Sequence, residues 1–155
     1  MTVLKIVPVF LLSVLLFSCT DSSELLEMKR LDGNWPKNDV QKFSFNISDA
    51  QNPKNIIFVV RNNNDYPYSN IRLIVKLKEG KRVMKTDTLN YILAQSDGTW
   101  LGKGFGDTKE IMFQYKLNYK FPRNAKYEIG ITQAMRTDSL KGIEDIGIKI
   151  ETPQP

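Results

Sequence analysis

Short segments of alternating apolar and polar residues limit most strongly what this chain can fold into. The longest covers residues 111–121, where every second side chain is apolar or aromatic. Further alternating segments occupy residues 43–47, 71–77, 127–131 and 146–150. A period of two residues is typical of a β-strand with one buried face. Residues 56–60 are apolar throughout, which favours a central strand that is buried on both faces.

These segments predict an all-β fold. About eight short strands, separated by turns roughly 8–12 residues apart and without a convincing amphipathic helix, are typical of a β-sandwich. We therefore expect a single antiparallel β-sandwich, immunoglobulin-like or jelly-roll-like. Gly80 marks a hairpin turn between two of the strands. Residues 133–140 are interpreted as a short helical turn.

The N-terminus carries an export signal. Residues 6–17 are almost entirely apolar, but this stretch is shorter than the about 20 residues that span a bilayer. Cys19 directly follows Ser18, which predicts a lipoprotein signal cut before Cys19, with acyl chains on the new N-terminus. Leu16 and Ser18 fit this motif, whereas Phe17 is bulkier than usual. The alternatives are an ordinary signal peptide with a chance cysteine, or a short membrane anchor.

The predicted organisation has three parts. Residues 1–18 are the signal peptide, 19–34 the lipidated N-terminus and tether, and 35–155 the β-sandwich domain. Several acyl chains, at about 0.8 kcal/mol for each buried methylene, would make attachment effectively permanent. We expect a lipid-anchored protein of the cell envelope, in the outer membrane.

The composition excludes several kinds of chemistry. The chain has no histidine and a single cysteine, which excludes Ser-His-Asp and Cys-His catalysis, the usual zinc sites and, after lipidation, any disulfide. The net charge of +5 is modest, and no dense Lys/Arg block or nucleic-acid module is present. We expect no catalytic residue, no cofactor, no metal site and no nucleic-acid partner.

Two loop regions suggest ligands but have simpler interpretations. The glycine-rich residues 98–107 lack the spacing of a phosphate-binding loop, and a bulged turn with closely packed backbones is favoured. Residues 62–70, with Asp49, Asp65 or Asp107, offer oxygen ligands for calcium. The alternative is that asparagine and aspartate favour turns.

Aromatic residues at loop positions suggest a binding surface. Trp35, Tyr66, Tyr68 and Trp100 either form a platform for a protein or a sugar, or cover the ends of the core. Glycan binding at the cell surface is therefore the alternative function. Thr88 and Ser139 each follow aspartate and precede leucine, as in a short acceptor sequence for O-glycosylation, although turn chemistry is the favoured explanation of these tripeptides.

The chain resembles the gliding-motility lipoprotein H family (GldH-like). The resemblance covers essentially the whole mature chain, in order. Its parts are the signal ending at Cys19, Arg61 with residues 66–70 (YPYSN), residues 87–89 (DTL), 98–104 (GTWLGKG), 133–136 (QAMR) and 140–151 (LKGIEDIGIKIE).

The resemblance implies a small envelope lipoprotein needed for surface gliding and tied to the type IX secretion and motility apparatus. The family is not known as an enzyme, and only the lipidation role transfers, to Cys19. The partners would be membrane lipid and other motility or secretion proteins of the envelope. We expect the stiff aromatic loop and the region near Met135 to lie at one end of the sandwich. The candidate docking surface consists of Tyr66, Pro67, Tyr68, Trp100 and Arg136.

Overall fold

The alternating segments form strands in the computed structural model, which describes residues 23–154. No helix occurs in this part of the chain, so none there is long and apolar enough to cross a membrane. In chain order the strands are β1 (Ser23–Arg30), β2 (Asn34–Pro36), β3 (Gln41–Ile47), β4 (Lys54–Asn62), β5 (Asn70–Glu79), β6 (Arg82–Ile92), β7 (Lys109–Tyr119), β8 (Ala125–Gln133), β9 (Ser139–Lys141) and β10 (Ile143–Glu151).

The strands form two packed sheets. The first sheet has the order β1-β10-β4-β7 and the second β3-β8-β5-β6, while β2 and β9 form a short ribbon. All neighbouring strands are antiparallel. The inward residues of both sheets share one core, in which Phe58 and Ile148 of the first sheet and Phe43 and Leu73 of the second are fully buried. The predicted antiparallel β-sandwich is confirmed.

The all-apolar segment forms the predicted central strand. β4 lies between β10 and β7. Its inward residues Phe58 and Val60 are 0% exposed, and its outward residues Ile57 and Val59 are only 9% and 2% exposed. Burial on both faces explains why this segment has no polar alternation.

The strand directions define two ends of the sandwich. We call one end the tip; it carries the loops of residues 63–69, 93–108 and 134–138. The opposite end is the base, where Ser23 pairs with Glu151 at the start of β1 and the end of β10. With nine residues, β4 separates these ends by about 30 Å.

The predicted tether is corrected by β1. Ser23–Arg30 forms an edge strand of the first sheet and pairs with β10, so the folded domain begins earlier than residue 35. Inside this strand, Leu25 packs against the core, and the sulfur of Met28 lies over Gly147, where a Cβ atom would be only 2.1 Å away. Two or three apolar side chains are enough to hold this edge strand in place, because its single neighbour, β10, supplies the partners for its backbone hydrogen bonds.

Two further local predictions are wrong. Residues 134–138, interpreted as part of a helical turn, form an irregular loop. In β7 the alternation predicts that Leu117 faces the core, but its side chain is 51% exposed. The pairing of β4 with β7 shifts register near Lys116, and Asn118 has a φ angle of +51°. This β-bulge turns Leu117 outward, whereas Tyr119 and Phe121 still pack on the core as the alternation predicts.

A candidate docking site at the tip of the sandwich

The loop of residues 63–69 is fixed to the sandwich at Gly142. A Cβ atom on Gly142 would lie 2.3 Å from the backbone nitrogen of Tyr66, and the φ angle of Gly142 is +79°. The side chain of Tyr66 is 3% exposed, and its hydroxyl donates to the carbonyl oxygen of Asn70 at 2.7 Å. Burial, and to a lesser extent Tyr68, raises the pKa of Tyr66 well above its ordinary value. Tyr66 therefore holds the loop, and its assignment to the docking surface itself is corrected.

Asn63 makes hydrogen bonds both within this loop and to the segment around Gly142. The side-chain oxygen of Asn63 accepts from the backbone nitrogen of Asp65 at 2.9 Å, and its amide donates to Glu144. The backbone nitrogen of Asn63 also donates to the Gly142 carbonyl oxygen at 2.9 Å. These bonds are typical of asparagine in turns, and they give the loop a defined shape next to Tyr68.

The loop after β8 is shaped by a buried glutamine. Gln133 is 1% exposed; its side-chain oxygen accepts from the backbone nitrogen of Met135 at 2.9 Å, and its amide donates to the Thr137 carbonyl oxygen at 3.2 Å. The backbone nitrogen of Ala134 donates to the carbonyl oxygen of Arg72 at 2.7 Å. The loop is thereby attached to the start of β5.

These two loops enclose a shared groove. It has a volume of about 250 Å³ and is lined by Tyr68, Asn70, Arg72, Ala134, Met135 and Arg136. Tyr68 is 39% exposed, and both arginines are exposed. The structure therefore brings together Tyr68 and Arg136, which are far apart in sequence, as the expected arrangement requires. Arg72 and Asn70 also line the groove. Asn70 ends the YPYSN segment but was not among the candidate residues, and Arg72 carries no aromatic or motif signal in the sequence.

Trp100 connects the tip loops from the side. Its indole nitrogen donates to the side-chain oxygen of Asn64 at 3.2 Å, and the amide of Asn64 donates to Asp107 at 2.9 Å. The ring of Tyr66 lies between the other two aromatics, with centroids 6.4 Å from Trp100 and 5.7 Å from Tyr68. Trp100 is half-buried and lies beside the groove without lining it.

Phe105 is an exposed tip residue that sequence reasoning missed. Its side chain is fully exposed, at 101%. It lies in a tight loop that is closed by two backbone hydrogen bonds between Lys103 and Glu110, at 2.9 and 2.8 Å. A Cβ atom on Gly104 would lie 2.1 Å from the Thr108 carbonyl oxygen. This close approach agrees with the predicted bulged turn. The signal that was available is an aromatic residue between two glycines in a polar loop.

The other candidate residues do not converge on a site. Trp35 is 0% exposed, and its indole donates to the Asp39 carbonyl oxygen at 2.8 Å, so it belongs to the core. Asp49 lies in the loop between β3 and β4 at the base, away from Asp65 and Asp107 at the tip. No group of three His, Cys, Asp or Glu side chains in residues 23–154 is suited to a metal. The carboxylates named in the calcium hypothesis are therefore not gathered into one group of ligands.

The DTL segment has a structural role through its aspartate. Asp87 accepts a hydrogen bond from the hydroxyl of Tyr115 at 2.7 Å and pairs with Lys116 at 3.4 Å, which joins β6 of one sheet to β7 of the other. Burial works to raise the pKa of Asp87, but the hydrogen bond from Tyr115 and the charges of Lys116 and Lys85 outweigh it and lower that pKa. Thr88 is exposed; its glycosylation stays a prediction.

Burial and Asp87 affect the neighbouring tyrosines. Burial, followed by the hydrogen bond to Asp87, raises the pKa of Tyr115. Burial and the charge of Asp87 raise the pKa of Tyr91 to about 12. The ring of Tyr91 stacks on Phe113, with centroids 4.2 Å apart. Asp87 and these rings close one side of the sandwich and form no cleft.

Sequence comparisons identify known relatives of this chain. The family model of the GldH lipoprotein matches residues 25–150. The gliding motility lipoprotein GldH homolog of Christiangramia forsetii is 36% identical over 150 residues, covering 92% of this chain and 93% of the relative. The gliding motility lipoprotein GldH of Flavobacterium johnsoniae is 37% identical over 148 residues, covering 91% and 92%.

Solved structures add a weak likeness. Dimeric latent PorU from Porphyromonas gingivalis superposes with a TM-score of 0.33 at 9% identity, over 82% of this chain and 12% of PorU. The family rests instead on the sequence matches, which span nearly the full length of both relatives. This chain belongs to the GldH lipoprotein family and is a lipoprotein related to gliding motility.

Proposed function

We propose that this protein is a non-catalytic accessory component of a gliding-motility and type IX secretion apparatus. It is anchored in the outer membrane through acylated Cys19 and binds a protein partner with the tip groove. The observation that carries the proposal is the convergence of Tyr68 and Arg136 on one groove. Both residues lie in segments that connect this chain with its family.

The chemistry of the groove supports protein docking. Tyrosine and arginine are enriched among residues that dominate binding energy, because each offers a large contact area and directed hydrogen bonds. Tyr68 packs edge-on against the buried ring of Tyr66, and Gln133 fixes the loop that carries Arg136. Because these supports are in place before binding, little conformational entropy is lost on association.

The position of the groove also supports this function. Cys19 precedes Ser23 by four positions in sequence, and Ser23 lies at the base. An extended chain of four residues reaches about 14 Å at most. A lipid anchor at Cys19 therefore keeps the base near the membrane and leaves the tip, about 30 Å further along the strands, free to meet a partner.

The glycan alternative receives less support. A sugar platform needs exposed, flat aromatic rings, but Trp35 is buried in the core and Trp100 is half-buried. Of the expected platform aromatics, only Tyr68 is exposed, at 39%. One partly exposed ring beside two arginines suits a peptide better than a stacked sugar.

Site-specific crosslinking tests the proposal. A photoreactive phenylalanine analogue replaces Tyr68 in the full-length lipoprotein, and a matched analogue replaces Leu117, which is 51% exposed near the base on the first sheet. We expect crosslinks to a motility or secretion protein from position 68 in intact envelopes and none from position 117. Tyr68→Ala with Arg136→Ala lowers recovery of that partner by about tenfold or more.

Controls separate docking from other causes. Cys19→Ala, which removes the anchor, abolishes recovery, whereas Leu117→Ala with Lys120→Ala, at exposed positions of the base, leaves recovery unchanged. Equal crosslinking from both positions contradicts a tip site. Retention of the lipoprotein on envelope polysaccharide, with no protein crosslinked from position 68, contradicts the proposal in favour of glycan binding.

A further inference from the structure

The outer face of the second sheet is strongly cationic. Its outward residues come from alternate positions of β3, β8, β5 and β6. Five of them are basic, and a single one, Glu128, is acidic. The basic residues are Lys42, Arg72, Lys76, Lys78 and Lys126.

The outer face of the first sheet is different. Its basic residues have acidic partners: Arg61 contacts Glu110 at 2.8 Å and Asp145 at 3.7 Å, and Lys149 contacts Glu151 at 2.7 Å. On the outer face of the second sheet, only Lys78 is paired, with Glu128 at 3.3 Å. The other four cations make no ion pair with any residue from 23 to 154. This face thus carries five basic residues against one acidic residue, and most of its positive charge is not neutralised by neighbouring side chains.

This face is continuous with the tip groove. Arg72 lies on the outer side of β5 and also lines the groove, where Arg136 faces it from the other loop. None of the groove residues carries a carboxylate. Lys76 follows Arg72 along β5 and shares a cross-strand row with Lys42 through Gly130. A path of unpaired cations therefore runs from the tip groove along β5 toward the base.

We infer that the groove and this cationic face bind an extended, acidic segment of the partner protein, an assignment that rests on the proposed function. Arginine binds carboxylates in a planar, two-pronged geometry, which suits a concave groove. Outward side chains on a strand recur about every 7 Å. An extended peptide with carboxylates at alternate positions has the same spacing. Ile74, between Arg72 and Lys76 in this series, is partly exposed and offers an apolar contact.

A synthetic peptide tests the inference directly. The probe is a labelled peptide of about ten residues that alternates glutamate with threonine, long enough to extend from the groove to Lys78. Its binding to the full-length lipoprotein in neutral detergent is measured by fluorescence anisotropy. We expect binding that weakens by about tenfold or more between roughly 0.05 M and 0.5 M salt, because exposed charges are screened. The same peptide with glutamine in place of glutamate does not bind.

Charge-matched variants locate the site. Arg72→Glu with Lys76→Glu places two acids on the path, and we expect peptide affinity to fall by about tenfold or more. Lys81→Glu with Lys120→Glu makes the same change in net charge at exposed positions of the base and leaves affinity nearly unchanged. All four side chains are exposed, so the substitutions leave the core intact; circular dichroism checks the fold.

Several results would overturn the inference. They are absence of peptide binding, equal loss in the two double variants, and equal affinity for polygalacturonate, which would make the face a general polyanion or glycan site. The photocrosslink from position 68 shows whether the proposed function fails as well, because it reports partner docking independently of acidic-peptide binding. If the crosslinked partner persists in Arg72→Glu with Lys76→Glu while no acidic peptide binds, docking stands and its acidic character is wrong.

Discussion

At the scale of single residues, Gly142 decides where the docking loop lies. The backbone of Tyr66 passes so close to Gly142 that a Cβ atom would clash at 2.3 Å, and the φ angle of +79° adds strain for any other residue. We expect Gly142→Ala to lower the free energy of unfolding by at least about 2 kcal/mol, since strain and overpacking act together. It also displaces Tyr68 and so weakens partner recovery. Thermal denaturation measures the first effect.

Gly80→Ala is the matched control for this substitution. Gly80 also has a positive φ angle, of +56°, but no atom lies within 4 Å of its missing Cβ. It therefore reports the backbone strain alone, about 1–2 kcal/mol. Equal losses of stability in the two variants would show that contact with Tyr66 costs nothing and that the loop adjusts freely.

Residue-level chemistry also explains how far the site could be predicted from sequence. The meeting of Tyr68 with Arg136 was expected from two motif segments. The burial of Tyr66 was not, because a tyrosine in a polar loop looks the same whether its ring points in or out. Phe105 was missed because its exposure depends on a tight loop whose closure, between Lys103 and Glu110, has no period-two pattern. From the sequence, Arg72 is an ordinary outward residue of a strand. Only the structure shows that the loop after β8 lies beside it and forms the groove.

At the scale of elements, β6 and β7 are joined by charge and by ring stacking. Asp87 on β6 accepts from Tyr115 on β7, and these partners lower its pKa despite burial, which acts in the opposite direction. A carboxylate with a lowered folded pKa stabilises the fold above its unfolded pKa of about 3.9 and loses that effect as pH falls through the folded value. We therefore expect Asp87→Asn to be less stable than wild type at pH about 7 and nearly equal to it well below pH about 3. Urea unfolding at a series of pH values measures this.

Tyr115→Phe provides the control for this pair. It removes the hydrogen-bond donor while keeping the ring that stacks on Phe58 at 4.7 Å between centroids. Combined with Asp87→Asn, its effect on stability is less than additive, because both changes break the same bond. Fully additive losses, or a difference from wild type that grows as the pH falls, would contradict the role assigned to Asp87.

The elements themselves were largely predictable because burial imposes period two on strands. The segments around Phe43, Leu73, Ile129 and Ile148 alternate clearly and form strands as expected. The apolar–polar alternation does not predict which side chains are buried where the backbone departs from regular pleating, as at the bulge before Asn118. It also fails for the loop after β8, since a few apolar and polar residues fit one helical turn as well as an irregular loop. Only the hydrogen bonds of the buried Gln133 side chain decide in favour of the irregular loop over the helical turn.

At the scale of the whole molecule, β1 determines where the domain begins and how far the base stands from the lipid anchor. Without β1, the edge of β10 is open, and Ile146, Ile148 and Ile150, which are at most 1% exposed, lose their cover on that side. An open, apolar edge strand also promotes association between chains. Residues 23–30 are therefore expected to be part of the stable fold, although their sequence resembles a linker.

Truncation distinguishes a strand from a tether. We compare an unlipidated chain that begins at Thr20 with one that begins at Leu31 and so lacks β1 and the three residues before it. We expect the shorter chain to lose about 3 kcal/mol of stability through lost burial, with a midpoint lowered by roughly 10 °C and a tendency to dimerise. Leu26→Ser in the longer chain is the control, since this side chain is 59% exposed and its replacement leaves the midpoint unchanged. Equal midpoints for the two chains would restore a tether extending to residue 34 and would place the tip groove further from the membrane than the present geometry requires.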